Sequence, residues 1–306
     1  MSRSLKAHIL LVLVSFAWGA TFVLVKNALA LISPLVFNSL RMTVAAIALA
    51  VLFHRALKGI TRQAVLGGFI VGVFLYLGYA FQTTGLRLTT PSKSAFITGL
   101  YVVFVPLIVA LSGRRIPNRW TLAGVASAFV GLYLMSIPTG EGFSLASINR
   151  GDLLTLACAV SFALHIFTIG RVTRRCGYEL LSILQVTTAA LLMALTIPAE
   201  TPRITWSTQV AFVILFTSLI CTAAAFSIQS WAQQFTPPTH TALIFALEPV
   251  FAALASYVLV GERLGPRGTI GAILILGGIL ISELKGSSLE PSADIEQNAG
   301  QCIELL

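Results

Sequence analysis

Charged residues are scarce in this sequence: Asp, Glu, Lys and Arg make up 10% of its 306 residues, whereas 57% are hydrophobic. Soluble domains are usually about 25% charged, so the composition excludes a water-soluble globular domain. The net charge of +9 does not indicate nucleic-acid binding, because the Lys and Arg residues lie mostly between apolar runs. In membrane proteins that distribution sets topology. We therefore predict a lipid bilayer as the surroundings and no nucleic-acid partner.

Patterns that would carry metal or cofactor chemistry are also missing. The four cysteines, Cys158, Cys176, Cys221 and Cys302, show neither paired nor metal-like spacing. No phosphate-binding loop is present that could use ATP. The first apolar run, residues 8–29, is long enough to span a bilayer, which argues against a cleavable signal peptide. The sequence predicts no metal and no cofactor.

What the sequence does contain is ten apolar runs of about 20 residues, the length that a bilayer requires. They lie near residues 8–29, 34–56, 64–86, 92–112, 119–137, 151–170, 179–198, 207–231, 239–260 and 267–284. We predict an all-α polytopic membrane protein with ten transmembrane helices. The predicted domains are residues 1–137 and 151–285, joined by a linker at 138–150 and followed by a disordered, acidic tail at 286–306.

The positions of Lys and Arg predict the orientation. With the N-terminus in the cytoplasm, the cytoplasmic segments hold 12 of them: Arg3, Lys6, Arg55, Lys58, Arg62, Arg114, Arg115, Arg119, Arg171, Arg174, Arg175 and Lys285. The outer segments then hold 7, namely Lys26, Arg87, Lys93, Arg150, Arg203, Arg263 and Arg267. Because positive residues are retained inside, both termini are predicted to be cytoplasmic, in the cell membrane.

The two halves of the chain resemble each other. A shift of 147 residues aligns Gln82 with Gln229, Pro91 with Pro238, Gly124 with Gly271 and Gly131 with Gly278, and a shift of 146 aligns VSFAW (14–18) with VSFAL (160–164). Each half has five spans, an odd number, so the second half crosses the membrane with opposite polarity. Such inverted repeats place a central cavity at the repeat interface and are typical of carriers that work by alternating access.

One acidic residue lies near the middle of an apolar run rather than at its end: Glu248, followed directly by Pro249. A carboxylate at the centre of a bilayer costs about 3 kcal/mol or more, so it usually faces a wet cavity or a bundle interior. A proline within a helix removes a hydrogen bond and bends the axis. The pair predicts a helix break at Pro249 beside a cavity lined by Glu248. The alternative is a packing kink with a protonated Glu against a neighbouring helix.

With these residues in view, the chain resembles the EamA-type transporters of the drug/metabolite transporter superfamily. The resemblance rests on FAWGATFVLVKNAL, Arg41, FQTTGLRLTTPSKSAFITGLYVVFVPLI and LEPVFAALASYVLVGERLGPRGTIGAILILGGIL. It implies ten helices in two inverted five-helix repeats around a central cavity, and transport of small metabolites, often outward. The first half departs from the second, since Tyr101 stands where Glu248 does and Arg114-Arg115 where Gly261-Glu262 does.

Other polar residues within the spans each allow two interpretations. Arg41 either hydrogen-bonds carbonyls or binds a substrate anion. Gln82 and Gln229 either form symmetric interhelical hydrogen bonds or line the cavity. His165 is either an interhelical donor or a ligand or proton carrier. The glycines of the third and last spans predict close helix packing, as a scaffold or a homodimer seam: Gly67, Gly68, Gly72, Gly78, Gly271, Gly277 and Gly278.

We predict a cavity lined by aromatic residues as well as by Glu248, His165 and the two glutamines. The aromatic residues are Trp18, Tyr79, Phe96, Tyr101, Trp231 and Phe245. Such a cavity suits small amphipathic solutes such as amino acids, their derivatives or aromatic amines. We therefore predict a secondary carrier that exports such small metabolites or amphipathic drug-like solutes, with Glu248 and His165 as candidates for proton coupling. A channel or lipid scramblase is the alternative, and an intramembrane enzyme a further one, although no catalytic constellation is visible.

Overall fold

The computed structural model describes residues 2–89, 91–113, 117–136, 149–261 and 265–286, which form a helical bundle. Its α-helices are α1 (Arg3–Ala28), α2 (Pro34–Leu52), α3 (Arg62–Leu86), α4 (Pro91–Gly99), α5 (Tyr101–Gly113), α6 (Arg119–Ser136), α7 (Arg150–Cys176), α8 (Tyr178–Thr196), α9 (Thr208–Ser218), α10 (Ala225–Ala232), α11 (Pro238–Phe245), α12 (Glu248–Val260) and α13 (Pro266–Ile281). π-Helical turns occupy Leu219–Ala224 and Ser282–Gly286. Short 3-10 helices lie at His54–Gly59 and Ile197–Ala199. Most of the predicted linker and tail, 137–148 and 287–306, lies outside the described residues.

These helices make the ten predicted spans, because α4 continues into α5, α9 into α10 and α11 into α12. Eight spans are long and apolar enough to cross a bilayer, and α6 and α13 contribute shorter apolar helices. Polar residues fix several helix starts: Ser2, Thr61 and Ser207 each accept a hydrogen bond from the amide three residues further on. The prediction of a multi-pass, all-α membrane protein is confirmed.

The two five-helix repeats are inverted and interleaved. Helix α3 of the first repeat packs against α7 and α8 of the second, and α1 packs against α10, α11 and α12. The last helices of the repeats, α6 and α13, pack along each other. Within this pair the Ser127 Oγ donates a hydrogen bond of 2.8 Å to the Leu274 carbonyl. These two positions are equivalent in the repeats, so the pseudo-two-fold axis passes close to this contact.

Glycines allow the backbones of α6 and α13 to touch. A Cβ atom added to Gly124 would lie 2.5 Å from the Gly278 carbonyl oxygen, and one added to Gly131 would lie 2.5 Å from the Gly271 oxygen. The glycines of α3 are packed against α7 and α8 in the same manner, with these facing side chains: Val172 at Gly67, Leu184 at Gly68, Thr188 at Gly72 and Phe162 at Gly78. The predicted glycine scaffold is thus used within one chain, although Gly277 has no atom within 4 Å of an added Cβ.

At the face of the bundle opposite the termini, the repeats are joined by a polar clasp. The Glu200 Oε1 accepts hydrogen bonds from the backbone amides of Leu35 (2.8 Å) and Val36 (3.2 Å), at the start of α2. The other oxygen of Glu200 lies 3.6 Å from the Arg87 guanidinium. The loop before α9 adds a backbone hydrogen bond of 2.8 Å from the Ser33 amide to the Arg203 carbonyl. A carboxylate at a helix N-terminus is electrostatically favourable, so the clasp holds this face together.

Replacing Gly131 by Ala should weaken the α6–α13 contact, because its Cβ would overlap the Gly271 carbonyl. Overpacking of this kind costs about 1–3 kcal/mol. The control is Gly277→Ala, which adds the same methyl group where there is open space. Thermal unfolding in detergent, followed by circular dichroism, should show a lower Tm for Gly131→Ala alone. Equal Tm values for both variants would contradict this packing.

Candidate functional site

A buried arginine forms the centre of the polar site. Arg41 of α2 is 6% exposed, and its Nε donates to the Thr222 Oγ1 at 2.6 Å. Its Nη2 donates to the Tyr79 hydroxyl at 3.1 Å and to the Cys221 carbonyl at 3.0 Å. The guanidinium also lies 4.8 Å from the Tyr79 ring centroid, within cation–π distance. All these partners are neutral, so the positive charge of Arg41 is oriented but not neutralised by them.

The carbonyl that holds Arg41 comes from a π-helical turn. In an α-helix the amide of Ala225 would bond the carbonyl of Cys221, four residues earlier. Here the Ala225 amide bonds the carbonyls of Ile220 and Thr222 instead. The Cys221 oxygen accepts from Arg41 and, at 2.8 Å, from the indole Nε1 of Trp18. The π-turn therefore supplies a backbone acceptor inside the bundle, as such turns often do at functional sites.

Glu248 supplies the acidic group of the site. It is half-buried and is the first residue of α12, where a negative charge is favourable. Its backbone packs against α1 at Gly19. A Cβ atom added to Gly19 would lie 2.6 Å from the backbone carbonyl oxygen of Glu248. Glu248 lies within electrostatic range of Arg41, Tyr79 and Tyr101. Among the described residues its carboxylate forms no ion pair or hydrogen bond, so cation and anion remain separate.

The helix break predicted at Pro249 lies slightly earlier, at Ala246 and Leu247, between α11 and α12. Pro249 is the second residue of α12, where its missing N–H would have no partner within the helix. The expectation that Pro249 removes a helical hydrogen bond is therefore corrected. The equivalent span of the first repeat breaks at Leu100, although it has Val102 where Pro249 stands. Both breaks thus belong to the repeat architecture.

Aromatic rings form a connected cluster that includes Tyr79, the ring beside Arg41. The Trp18 ring centroid lies 4.9 Å from that of Phe245 and 5.8 Å from that of Phe226. The Tyr79 ring contacts Phe162 at 5.5 Å and Phe226 at 6.4 Å. These rings come from helices of both repeats. The structure thus brings Trp18, Tyr79 and Phe245 into one aromatic cluster through Phe226.

His165 borders this aromatic wall but belongs to a second polar network. Its ring centroid lies 5.5 Å from that of Phe226, and its Nε2 is 2.9 Å from the Gln185 Oε1. The Gln185 Nε2 in turn donates to the Ser230 Oγ at 2.9 Å. Of the two interpretations of His165, the geometry shows interhelical hydrogen bonding, from α7 through α8 to α10.

The equivalent glutamines are not used equivalently. The Gln229 Nε2 donates to the Gln233 Oε1 at 3.1 Å, and the Gln233 Nε2 donates to the Ile166 carbonyl at 2.8 Å. Gln229 thus joins an interhelical network of α7 and α10. Gln82 is half-buried and makes no side-chain hydrogen bond within the described part of the chain. A symmetric pair of interhelical bonds is therefore not formed.

Two predicted cavity residues lie elsewhere. Phe96 of α4 packs against Phe129 and Tyr133 of α6, at ring distances of 5.9 and 5.7 Å. Trp231 lies at the end of α10 near the termini, with the Lys6 ammonium 5.4 Å from its ring. The sequence of an apolar run does not show in which direction an aromatic side chain points. It therefore could not exclude Phe96 and Trp231 from the predicted cavity lining.

Conversely, sequence reasoning missed Phe162, Thr222 and Phe226, which lie among the site residues. The two phenylalanines look like ordinary core residues of an apolar helix. The sequence did contain one sign of the segment around Thr222. The shift that aligns the two repeats changes there from 146 to 147 residues. Among the residues that the structure describes, no group of three or more His, Cys, Asp or Glu side chains could hold a metal ion.

Inverted repeats with a polar site between them are typical of helical membrane transporters. More specifically, this chain belongs to the EamA-like transporter family, whose model matches residues 5–137 and 149–284. Membership in a transporter family points to a non-enzymatic protein.

Three similar proteins illustrate the range of the family. An uncharacterised transporter of Archaeoglobus fulgidus is 35% identical over 283 residues, covering 92% of this chain and 87% of its own. A probable amino-acid metabolite efflux pump of Escherichia coli (strain K12) is 25% identical over 298 residues, covering 92% and 95%. A solved crystal structure superimposes with a TM-score of 0.75 at 19% identity, covering 94% of this chain and 99% of that one, and supports the fold.

Replacing Gln185 by Leu should destabilise the protein, because His165 and Ser230 would both lose a buried partner. An unsatisfied buried polar group costs about 1–3 kcal/mol. The control is Gln82→Leu, the same change at a half-buried position without such bonds. Chemical denaturation in detergent, with the free energy of unfolding compared between the two variants, tests this. A larger loss for Gln82→Leu would contradict the assigned network.

Proposed function

We propose that this protein is a secondary carrier that exports small amphipathic zwitterions, such as amino acids and their derivatives, by alternating access. The observation that carries the proposal is the separation of Arg41 and Glu248. A buried cation and a half-buried acid lie within electrostatic range of each other with no ion pair between them, and an aromatic ring lies against the cation. A molecule with one positive and one negative group complements this arrangement.

The carboxylate of the substrate would bind Arg41. Three donors of this guanidinium are engaged by Thr222, Tyr79 and Cys221. Within the described residues Nη1 has no hydrogen-bond partner, so its two N–H groups are available. A charge-assisted hydrogen bond from Nη1 to a carboxylate is stronger than a neutral one, so this nitrogen can hold a substrate carboxylate. The neutral partners hold the group in place without competing for its charge.

The ammonium group of the substrate would bind Glu248. Its carboxylate accepts no hydrogen bond from the described residues and lies at the break between α11 and α12. The apolar body of the substrate would contact Trp18, Phe226 and Phe245, where both phenylalanine rings lie against the Trp18 ring. A mostly apolar pocket with a few convergent polar groups is the usual form of a small-molecule site.

Two further observations support this substrate class and direction. The Escherichia coli relative carries the name of an amino-acid metabolite efflux pump. The inverted repeats provide two packed halves that can rock around a fixed central site. In such a cycle the Glu200 clasp of the face opposite the termini would open and close, because it joins the start of α2 to the loop before α9.

Energy for export would come from a proton, with Glu248 as its carrier. The same carboxylate would hold either a proton or the substrate ammonium group. This competition would couple proton entry to substrate export. His165 is the second candidate, although its Nε2 is engaged by Gln185. A homodimer remains an expectation without a role in this mechanism.

Zwitterion selectivity can be tested by counterflow in proteoliposomes. The panel comprises radiolabelled L-phenylalanine, L-leucine and L-threonine, each with its decarboxylated amine and its deaminated acid. At least one amino acid should show counterflow at least about tenfold faster than its amine and acid, since a lost charged hydrogen bond costs about 1.5–3 kcal/mol. Equal rates for the amine would favour aromatic amines as substrates. Flux without counterflow would indicate a channel or scramblase instead.

The role of Glu248 is tested by Glu248→Gln, with Glu248→Asp as the matched control that keeps the charge. The Gln variant should reach the membrane yet lose at least about tenfold of amino-acid transport or lose its pH dependence. The Asp variant should keep a measurable pH-dependent rate. Wild-type transport and an unchanged pH profile in Glu248→Gln, at matched abundance, would remove Glu248 from the mechanism and leave His165.

We further propose that both termini face the cytoplasm, on the basis of the 12 to 7 distribution of Lys and Arg. A reporter that is active only in the cytoplasm should therefore be active when fused after Lys285. The control fusion, after Arg87, should be inactive. The opposite pattern would invert the topology and with it the proposed direction of transport.

A further inference from the structure

The π-helical turn at Leu219–Ala224 has no counterpart in the first repeat. It interrupts the span formed by α9 and α10, whereas the equivalent helix α3 is α-helical throughout Arg62–Leu86. π-Turns are rare, and each accommodates one extra residue relative to an α-helix. The difference therefore predicts that the second repeat is one residue longer within this helix.

The register of the repeats agrees with this. At the start of the two helices, the equivalent caps Thr61 and Ser207 are 146 residues apart. Further along, Gln82 and Gln229 are 147 residues apart. The extra residue thus lies between the caps and the glutamines, which is the stretch that contains the π-turn.

The extra residue has a direct consequence for the polar site. The amide of Ala225 moves away from the Cys221 carbonyl, which then accepts from Trp18 and Arg41. Thr222 secures the arrangement from the same turn. Its Oγ1 donates to the Thr217 carbonyl at 2.9 Å, across the π-turn, and accepts from the Arg41 Nε at 2.6 Å. One hydroxyl therefore links the turn to the guanidinium.

We infer that this one-residue insertion orients the carboxylate-binding group of the carrier, with Thr222 as the positioning residue for Arg41. The inference rests on the proposed function, in which Arg41 binds the substrate carboxylate. Two of the three donors that fix Arg41 reach the π-turn, and the third reaches Tyr79. Nη1 is thereby directed away from these partners. The insertion also makes the two repeats chemically different at the site they share.

A purely structural role of the turn makes a different prediction. If Thr222 only stabilised the helix, its loss would lower the amount of folded carrier and affect all substrates equally. If it positions Arg41, its loss should affect substrates that carry a carboxylate and spare their decarboxylated amines. The amine lacks the group that Arg41 would bind, so it serves as an internal control.

The first experiment compares Thr222→Val with Thr222→Ser and with the matched control Thr217→Val. Thr217 is buried in the same span, and its hydroxyl bonds carbonyls of its own helix, those of Val213 and Ile214. Inhibition constants for L-phenylalanine and phenethylamine are measured by competition in proteoliposomes against the amino acid of the panel that shows the fastest counterflow. Thr222→Val should weaken L-phenylalanine at least about tenfold and leave phenethylamine within about twofold, whereas Thr222→Ser and Thr217→Val should resemble the wild type. Equal weakening of both probes, or of neither, would overturn the inference.

A second experiment needs no substrate and so separates this inference from the proposed function. In a variant whose only tryptophan is Trp18, with Phe at positions 120, 206 and 231, hydrogen exchange of the indole N–H is followed by NMR. Deletion of Ile220, whose side chain is 43% exposed, should restore α-helical bonding and remove the acceptor of Trp18. Exchange should become at least about tenfold faster. An unchanged exchange rate would overturn the assigned role of the π-turn even if the transport proposal holds. Conversely, a protein that transports none of the probes would contradict only the transport proposal.

Discussion

The structure depends on one constraint: in a bilayer every backbone N–H and C=O must find a partner within the protein. Long α-helices meet this requirement, and most of the chain obeys it in the simplest way. Among the described residues, the exceptions within the spans include the breaks at Leu100 and at Ala246–Leu247 and the π-turn before Ala225. The break of the second repeat and the π-turn both lie beside the polar site. Carbonyl groups that leave helical bonding become available there to side chains.

Side chains of the first repeat reach carbonyls at both the break and the π-turn of the second repeat, which links the fold to the site. Ser15 of α1 approaches the Ile244 carbonyl near the break of the second repeat, at 3.3 Å. Trp18, one turn further along α1, bonds the Cys221 carbonyl of the π-turn. The residues that complete the backbone of one repeat are therefore supplied by the other. A substitution among them would change both packing and the shape of the site, because the same contacts serve both.

The separation of Arg41 from Glu248 follows from the same principle. A buried ion pair would neutralise both groups, but the neutral ligands of Arg41 already occupy three of its donors. Leaving two charges apart in a bundle interior is costly unless each is hydrogen-bonded or hydrated. Arg41 is hydrogen-bonded, and Glu248 is half-buried at a helix start. Hydrogen bonds at Arg41 and partial exposure at Glu248 thus lower the cost of keeping the two groups apart.

The sequence by itself determined the class of protein. Ten apolar runs, the 147-residue repeat and an acid in the middle of a run can all be read from the sequence. They determine the class because bilayer thickness and helix geometry leave few alternatives. It also identified Trp18, Arg41, Tyr79 and Glu248 as unusual residues for a membrane span. These residues belong to different spans, however, and nothing local states which of them meet.

Only the tertiary structure decided which residues share the site. It separated Phe96 and Trp231 from the centre, gave Gln229 a network that Gln82 lacks, and added Phe226 and Thr222. The direction of a side chain on a span that is apolar all round is set by the neighbouring helices rather than by its own periodicity. A π-turn adds one residue to the helix, so the side chains after it point in other directions than they would on an uninterrupted α-helix. The extra residue is visible in the sequence as a changed repeat shift. Only the folded bundle shows that it frees the Cys221 carbonyl to bond Arg41 and Trp18.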